Sequence, residues 1–427
     1  MLRIELKRGL DVPLGARPGV RRRHSPSRVA LLGADYPGLR PNLLVAEGDR
    51  VNSGSVLLID RTRPEICLTA PAAGRVREIR RGARRSLDAL VIDVDNAEDE
   101  STDLPPPPTT DAGPETIRRA LQRGGLWPAF RARPFERIPD ADATPAQLFV
   151  TAMDTHPLAP DPVTAIQECA DAFDLGLRII TGLSPVTWLC TAAGANLFCP
   201  QLAGLERVEF SGPHPAGLPG THMFAIAARR IEQLTPGERW HIGYQDVIAI
   251  GEYFGSGRLS GRRLISLAGP GLPENQLVET LIGTAIHELI EGSFTAADTN
   301  AASPTRGLRI ISGPALSGRL TTATTAYLGR YHQQIIVLHA ASVDALATTA
   351  ATSGMLAVEV FDSVWPLPIP VAPLLRALLM EDTESAAELG ATLLAPEDLA
   401  LCDYVCPAHQ DYSAALSRTL ERLRRGG

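Results

Sequence analysis

Four consecutive prolines, Pro105 to Pro108, constrain this chain more than any other feature. Proline has a fixed φ and no backbone N–H, so such a run neither joins a sheet ladder nor continues a helix, and it favours extended polyproline geometry. The prolines sit in EDESTDLPPPPTTDAG (98–113), an acidic and polar stretch that reads as a linker. The hydrophobic pattern changes across it. A chain of 427 residues is long enough for two to four domains, and the linker marks the first boundary.

Residues 1–97 read as short strands. RIELKRGL sets Leu2, Ile4 and Leu6 against Arg3, Glu5 and Lys7, the alternation of a half-buried strand. VALLGA follows, and then a run from Val45 to Ile79 with Gly-Asp and Ser-Gly turns between apolar stretches. Strands of this length with turn signals between them indicate an all-β module.

Residues 114–257 change period. PETIRRALQRGGL carries Pro114 at its start and Gly124-Gly125 at its end, the marks of a helix. AQLFVTAMD (146–154) reads as a buried strand and 161–177 as a helix capped by Asp161. RIITGL (178–183) reads as a further strand. This alternation predicts an α/β layer with a largely parallel sheet. Residues 258–312, with a helix expected over LVETLIGTAIHELIEG, read as a compact β-plus-helix unit of β-grasp type. Residues 313–365 read as a mixed connection in which MLAVEVFD (355–362) supplies a strand. Residues 366–427 read as helical, closing on a stripe of Leu416, Leu420 and Leu423.

Composition excludes several functions. Of the 41 basic residues only Lys7 is a lysine. A Walker A loop, a Schiff-base enzyme and a lipoyl or biotinyl carrier each need a lysine at their working site. A net charge of −7 and 5% aromatic residues argue against nucleic-acid binding. The charge is uneven: residues 1–92 carry 18 basic and 9 acidic side chains. RRRHSPSR (21–28) reads either as a solvated arm or as a patch facing an acidic partner or an anionic membrane surface. Six dispersed cysteines and the lack of a signal-peptide pattern fit a reduced, cytoplasmic setting. No run approaches the ~20 apolar residues that span a bilayer; the nearest, 355–375, is interrupted by Glu359, Asp362 and four prolines.

Two loops attract attention as ligand contacts. AMDTHPLAPDP (152–162) places Asp154 and His156 at the carboxyl end of an expected strand, where open α/β sheets bind ligands. SGPHPAGLPGTH (211–222) carries His214 and His222, which titrate near neutral pH, among Gly212, Gly217 and Gly220. Each also reads as a purely structural turn. GSGRLSG (255–261) lacks the strand-before, helix-after setting of a dinucleotide fingerprint. HELIE (287–291) has Glu291 where a zinc-protease helix needs its second histidine. CDYVCP (402–407) is the tail of a cluster-binding cysteine run, but the residues ahead of it, Glu397, Asp398 and Leu399 among them, include no cysteine where the two earlier ones belong. Two thiolates do not hold a cubane, so Cys402 and Cys406, on one helical face with Leu399, read as core residues. No catalytic residue and no metal ligand is assigned.

The N-terminal run resembles a biotinyl/lipoyl-type hammerhead: Gly48, Asp49, Val51, Gly54 and Leu57, then Ala70, Pro71 and Gly74. The lysine that carriers modify would stand near Arg63. Further segments occur in order: KRGLDVPLG (7–15), ALLGADYPGLRP, GLWPAFRARPFERIP (125–139), AMDTHPLAPDP, GPHPAGLPGTH, YQDVIAIG (244–251), YLGRYH (327–332) and DLALCDYVCP (398–407). Together they resemble the A subunit of the Na+-translocating NADH:quinone oxidoreductase (Na+-NQR). That family is similar to the flavin-binding subunit of complex I and to the Rnf complex C subunit. The sequence departs from the pattern near 333–372, which looks shortened.

The resemblance implies a multi-domain α/β plus all-β fold. Its parts would be a barrel-sandwich domain (1–97), the linker (98–113), a Rossmann-like α/β domain (114–257), a β-grasp, SLBB-like domain (258–312), a connecting region (313–365) and a C-terminal helical domain (366–427). It implies a peripheral subunit on the cytoplasmic side of the inner membrane, within a six-subunit assembly that includes a membrane-embedded partner. That complex oxidises NADH, reduces ubiquinone and exports Na+ with flavins and iron–sulfur clusters. The A subunit itself would hold no redox cofactor and would not be catalytic alone, with a ubiquinone contact implied for the family. His156, Asp154, His214, Gly217, Gly220 and His222 are then the candidate quinone or ligand loops. The competing expectations are a soluble α/β enzyme with an acid–base site of Asp154, His156 and His214, and an Rnf-type electron-transfer subunit. The missing cysteines oppose the last.

Overall fold

The computed structural model describes residues 2–426 apart from 16–17, 84–85, 96–102, 231–235, 294–306, 323 and 340–357. Residues 340–357 of the segment expected to be shortened, and the first residues of the linker, lie outside the described residues.

The hammerhead pattern folds as two small sheets. One orders Arg28–Leu32, Leu87–Val94, Gly74–Arg81 and Arg50–Val51; the other orders Pro41–Leu43, Val56–Asp60 and Arg63–Thr69. Leu57, Leu58, Ile66 and Leu90 are fully buried between them, and each such side chain contributes about 2 kcal/mol. Arg63 opens the strand after a tight hairpin, at the place of the carrier lysine. Its guanidinium donates to Asp60 Oδ2 (2.9 Å), to the Ile138 carbonyl (3.0 Å) and to Asp140 Oδ1 (3.3 Å). The residue that would swing in a carrier here ties the module to the α/β domain.

The strand expected over residues 2–6 forms, but outside this module. Leu2–Glu5 pairs in parallel with Leu205–Ser211 at the edge of a six-stranded sheet. That sheet continues through Thr187–Ala192, Gln147–Ala152, Arg239–Gly243 and antiparallel Arg131–Arg133. Pro114–Arg123 and Pro162–Glu168 form the expected helices, and Asp161 caps the second by accepting from the Val163 N–H. RIITGL is not a strand. It ends the helix Ala170–Thr181, in which Ile179 and Ile180 are fully buried. A short apolar run does not separate a buried strand from a buried helix by period. The strand that follows this helix is Thr187–Ala192, where the sequence pattern gave none.

A second six-stranded sheet runs Arg319–Leu320, Leu308–Ser312, Gln334–His339, Arg262–Ala268, Gln276–Leu281 and Val20–Arg23. The long helix expected over 277–292 is instead the strand Gln276–Leu281 followed by the helix Ile286–Glu291. In the strand Val278 and Thr280 face inward while Leu277 and Glu279 lie less buried, a period of two. The arginines at 21–23 are not a solvated arm. They form the edge strand, where Arg21 pairs with Glu168 and Glu279, and Arg22 Nε donates to Gln276 Oε1 at 2.6 Å. MLAVEVFD is likewise not a strand over its described part, since Val358–Val364 is helical. All described elements from there to Gly426 are helices or 3-10 turns.

Candidate active-site cleft

In the α/β sheet the chain moves from Gln147–Ala152 to Thr187–Ala192 and Leu205–Ser211 on one side, then returns to lay Arg239–Gly243 on the other. The connections diverge between Gln147–Ala152 and Arg239–Gly243. Parallel α/β sheets open a crevice at the carboxyl ends of such a strand pair. A cleft of about 350 Å³ lies there. Thr151 at the end of the first strand and Met153, Asp154 and His156 after it line the cleft, as do His241 and Gly243 of the second strand and Tyr244 after it. Its other walls are Tyr331 to Gln334 from the second sheet and Ala395 to Glu397 from the helical segment.

His156 Nδ1 lies 2.8 Å from Asp154 Oδ1, which also accepts the His156 backbone N–H at 2.8 Å. Burial works against the imidazole's proton. The charge and hydrogen bond of Asp154, with the charge of Glu397, outweigh it and hold His156 above the usual histidine value. The Glu397 carboxyl forms no hydrogen bond within the described residues. Burial, then the neighbouring charges of Asp398 and Glu136, hold it above the ordinary range.

A buried ionic network supports the cleft floor. Arg133, 2% exposed, meets Glu136 Oε2 at 2.5 Å and Asp398 Oδ2 at 2.9 Å. His241 Nε2 lies 2.8 Å from Glu136 Oε1, and Arg131 donates to the Glu136 carbonyl at 2.6 Å. Burial alone would raise Glu136, but His241, Arg133 and Arg131 hold it well below the carboxylate range. On the far side Asp246 pairs with Arg263 and with Arg330 at 2.9 Å.

The two loops singled out in the sequence do meet. The His156 and His214 rings are 4.6 Å apart, and Thr155 Oγ1 lies 3.1 Å from His214 Nδ1 while accepting the Gly217 N–H. Asp154, His156 and Gly217 line the cleft, whereas His214, Gly220 and His222 stand behind it. Burial and the charge of His156 push His214 well below neutrality. The expected loop at 219–222 is the start of a helix, Pro219–Ala227, which carries Gly220 and His222. His222 stacks on Phe210 at 4.3 Å, donates from Nε2 to the Ala216 carbonyl, and is pushed down to about 3 by burial. Gly217 and Gly220 serve close approach: an added Cβ would stand 2.7 Å from Thr155 N and 2.4 Å from Asp398 Oδ1.

Arg131, Glu136, His241, Tyr331 and Glu397 were not singled out from the sequence. The signal existed in part. Arg131 and Glu136 lie within GLWPAFRARPFERIP, Tyr331 within YLGRYH, and Glu397 directly precedes DLALCDYVCP.

GSGRLSG joins the end of the helix Tyr244–Ser256 to the strand Arg262–Ala268, so it faces no helix N-terminus where phosphate binds. Cys402 and Cys406 are buried in the helical core, and Cys406 Sγ sits 3.4 Å from the Tyr412 hydroxyl. Among the described residues no group of three or more His, Cys, Asp or Glu converges to hold a metal, and no helix is long and apolar enough to cross a membrane.

Residues 4–95 match the family model described as the NqrA N-terminal barrel-sandwich hybrid domain, and residues 112–259 match the NqrA second alpha/beta domain. The chain is 38% identical to the A subunit of the Na(+)-translocating NADH-quinone reductase of Rhodopirellula baltica, over 99% of this chain and 98% of that protein. It is 39% identical to the subunit of the same name from Pseudomonas aeruginosa PAO1, over 99% of this chain and all of that one. For that from Neisseria meningitidis serogroup A the identity is 38% at the same coverage. These alignments run over 459 to 461 positions, more than the 427 residues here, so the relatives carry segments this chain lacks. Full-length identity at this level, with both family domains in order, means that the chain belongs to the A-subunit family of the Na+-translocating NADH-quinone reductase.

Proposed function

We propose that this chain serves its reductase as a peripheral subunit without a redox cofactor of its own, on the cytoplasmic side of the inner membrane, and that its cleft receives the quinone. In this reading a membrane-embedded partner and the other subunits of a six-subunit assembly carry the flavins and iron–sulfur clusters. The observation that carries it is the cleft at the diverging strands. It is walled by Tyr331 and Tyr244, and holds a carboxylate-paired histidine and a carboxyl without a hydrogen-bond partner among the described residues, for the two carbonyls of a quinone ring. The buried thiols of Cys402 and Cys406, two where a cubane needs four, support the cofactor-free part. We assign the first six-stranded sheet to a Rossmann-like domain, the second to a β-grasp, SLBB-like domain, and residues 366–427 to a helical domain.

The test has two arms. The purified chain should show no visible absorbance and no iron, and stoichiometric flavin or iron would overturn the cofactor-free reading. A photoreactive short-chain quinone should label cleft residues in the assembled reductase. The contact between His156 and His214 favours a second reading, an acid–base enzyme built on the 152–162 and 211–222 loops. His214 lies behind the cleft wall, which leaves only His156 and Asp154 of that set in reach of a substrate.

A further inference from the structure

Two titratable side chains of the cleft keep a face free of protein partners. Asp154 takes Nδ1 of His156, so the ring is oriented and Nε2 is left without a hydrogen-bond partner among the described residues. Glu397 comes from a different part of the fold, the 3-10 turn Pro396–Leu399, and its carboxyl also has no hydrogen-bond partner among the described residues. The neighbouring acids are different. Glu136 is held in ion pairs with His241 and Arg133, and Asp246 in ion pairs with Arg263 and Arg330. His332 also lines the cleft, with Nδ1 held by Ser312 Oγ at 2.9 Å, but burial pushes it down to about 4. His156 and Glu397 are therefore the two placed to give a proton to an occupant.

We propose that His156 and Glu397 are the proton-exchanging pair of this cleft, with Asp154 as the positioning residue that aims His156. The proposal rests on the reading that the cleft receives a quinone. A quinone that takes two electrons must take two protons, one on each oxygen. The electrons come from NADH through the other subunits. The Nε2–H bond of His156 and the O–H bond of Glu397 break, two O–H bonds form on the quinol, and solvent at the cleft mouth returns both protons.

The surroundings fit these roles. His156 faces Asp154 on its own loop, neutral His214 from the 211–218 loop, and Glu397 from the helical segment. Glu397 faces Asp398 beside it, Glu136 and Arg133 from the 131–136 segment, and His241 from the sheet. Burial, with the charges of Asp398 and Glu136, favours its protonated form against the pull of Arg133 and His241. Both groups thus hold a proton to higher pH than they would in water, as a proton donor must.

The test uses the assembled reductase carrying His156→Gln or Glu397→Gln, with a short-chain ubiquinone as substrate. Each variant should lower kcat about 100-fold, the scale of a lost general acid, with little change in KM. In the parent the rate should fall as pH rises through the raised value of His156, and H156Q should lose that limb. Glu397→Asp, which restores the carboxyl, should recover part of the rate. Unchanged kcat and pH profile in both variants, with the photoreactive quinone still labelling the cleft, overturns the pair and leaves the quinone reading standing. Labelling that falls elsewhere overturns both. If H156Q fails to assemble, diethylpyrocarbonate on the parent complex decides. Modification mapped to His156 should inhibit and quinone should protect, whereas a modified His156 with full activity overturns the proposal.

Discussion

Arg133 shows how much of this molecule depends on paired buried charge. Its guanidinium lies between Glu136 and Asp398; Arg133 and Asp398 are buried, and Glu136 is partly buried at the cleft wall. Two neighbouring residues, Phe135 and Glu136, hold positive φ values of 75° and 47°, a strained backbone that the ion pairs help to keep. Removing the cation leaves the buried Asp398 carboxylate without its ion pair and takes one partner from Glu136, so Arg133→Met should cost about 3–5 kcal/mol, read from urea denaturation. A loss under about 1 kcal/mol, the value of an exposed pair, would mean water already reaches the network. Glu136 adds a pH dependence. Its folded value is depressed, so its contribution is present above the ordinary carboxylate range and disappears as pH falls from there through the folded value. Glu136→Gln should flatten the acid limb of the stability–pH curve, and an unaltered limb would assign acid unfolding to other groups. None of this network is legible in the sequence. A lone Arg or Glu carries no mark of its partner, and Arg133 and Asp398 are 265 positions apart. By contrast Asp154 and His156 are legible, because an apolar run ending in Asp-x-His places its polar residues at a strand's carboxyl end.

Among the elements, the helices Ala170–Thr181 and Tyr244–Ser256 pack backbone to backbone, and their approach depends on two glycines. A Cβ on Gly176 would stand 2.1 Å from the Val247 carbonyl oxygen, and one on Gly251 would stand 1.7 Å from that of Ala172. Both contacts are backbone, which cannot rotate away. In an ordinary helix Gly→Ala stabilises by up to about 1 kcal/mol. Here the sign should reverse, and Gly251→Ala should destabilise by about 1–3 kcal/mol through overpacking, measured by thermal unfolding. A Tm at or above the parent's would show that the helices can slide apart at no cost. Because Tyr244–Ser256 begins at the cleft with Tyr244 and Asp246, the same substitution should also disturb the cleft wall. Elements are legible where caps or turns mark them, as with Pro114 and Asp161. They mislead where the only signal is an apolar run, as in 178–183 and 277–292. The discriminating force there is burial on both faces, which a single sequence does not display.

At the scale of the whole molecule, the N-terminal residues are a stitch across three layers, not the first strands of one module. Leu2–Glu5 closes the α/β sheet, where Ile4, 2% exposed, packs among Phe149, Trp188 and Phe210. Ahead of the histidine loop, Leu10 N–H donates to the His214 carbonyl at 2.8 Å, and Asp11 Oδ1 accepts the His214 N–H at 3.0 Å. Val20–Arg23 then closes the second sheet, and only at Arg28 does the chain enter the barrel-sandwich module. This placement is hidden in the sequence for a physical reason: alternation tells that a strand is half-buried, not which sheet it joins. It also makes a prediction about cooperativity. A segment that crosses three layers couples their unfolding, so the intact chain should melt in one calorimetric transition. Deleting residues 2–23 exposes Phe149, Trp188 and Phe210 on one sheet and the Gln276–Leu281 edge on the other. It leaves Arg63 and its partners as a remaining tie between module and α/β domain. The deleted chain should therefore unfold in more than one step, with the two six-stranded sheets melting first and the barrel-sandwich module last. A single transition at the parent's temperature would show that the core shared by the module and the α/β domain couples them without the stitch.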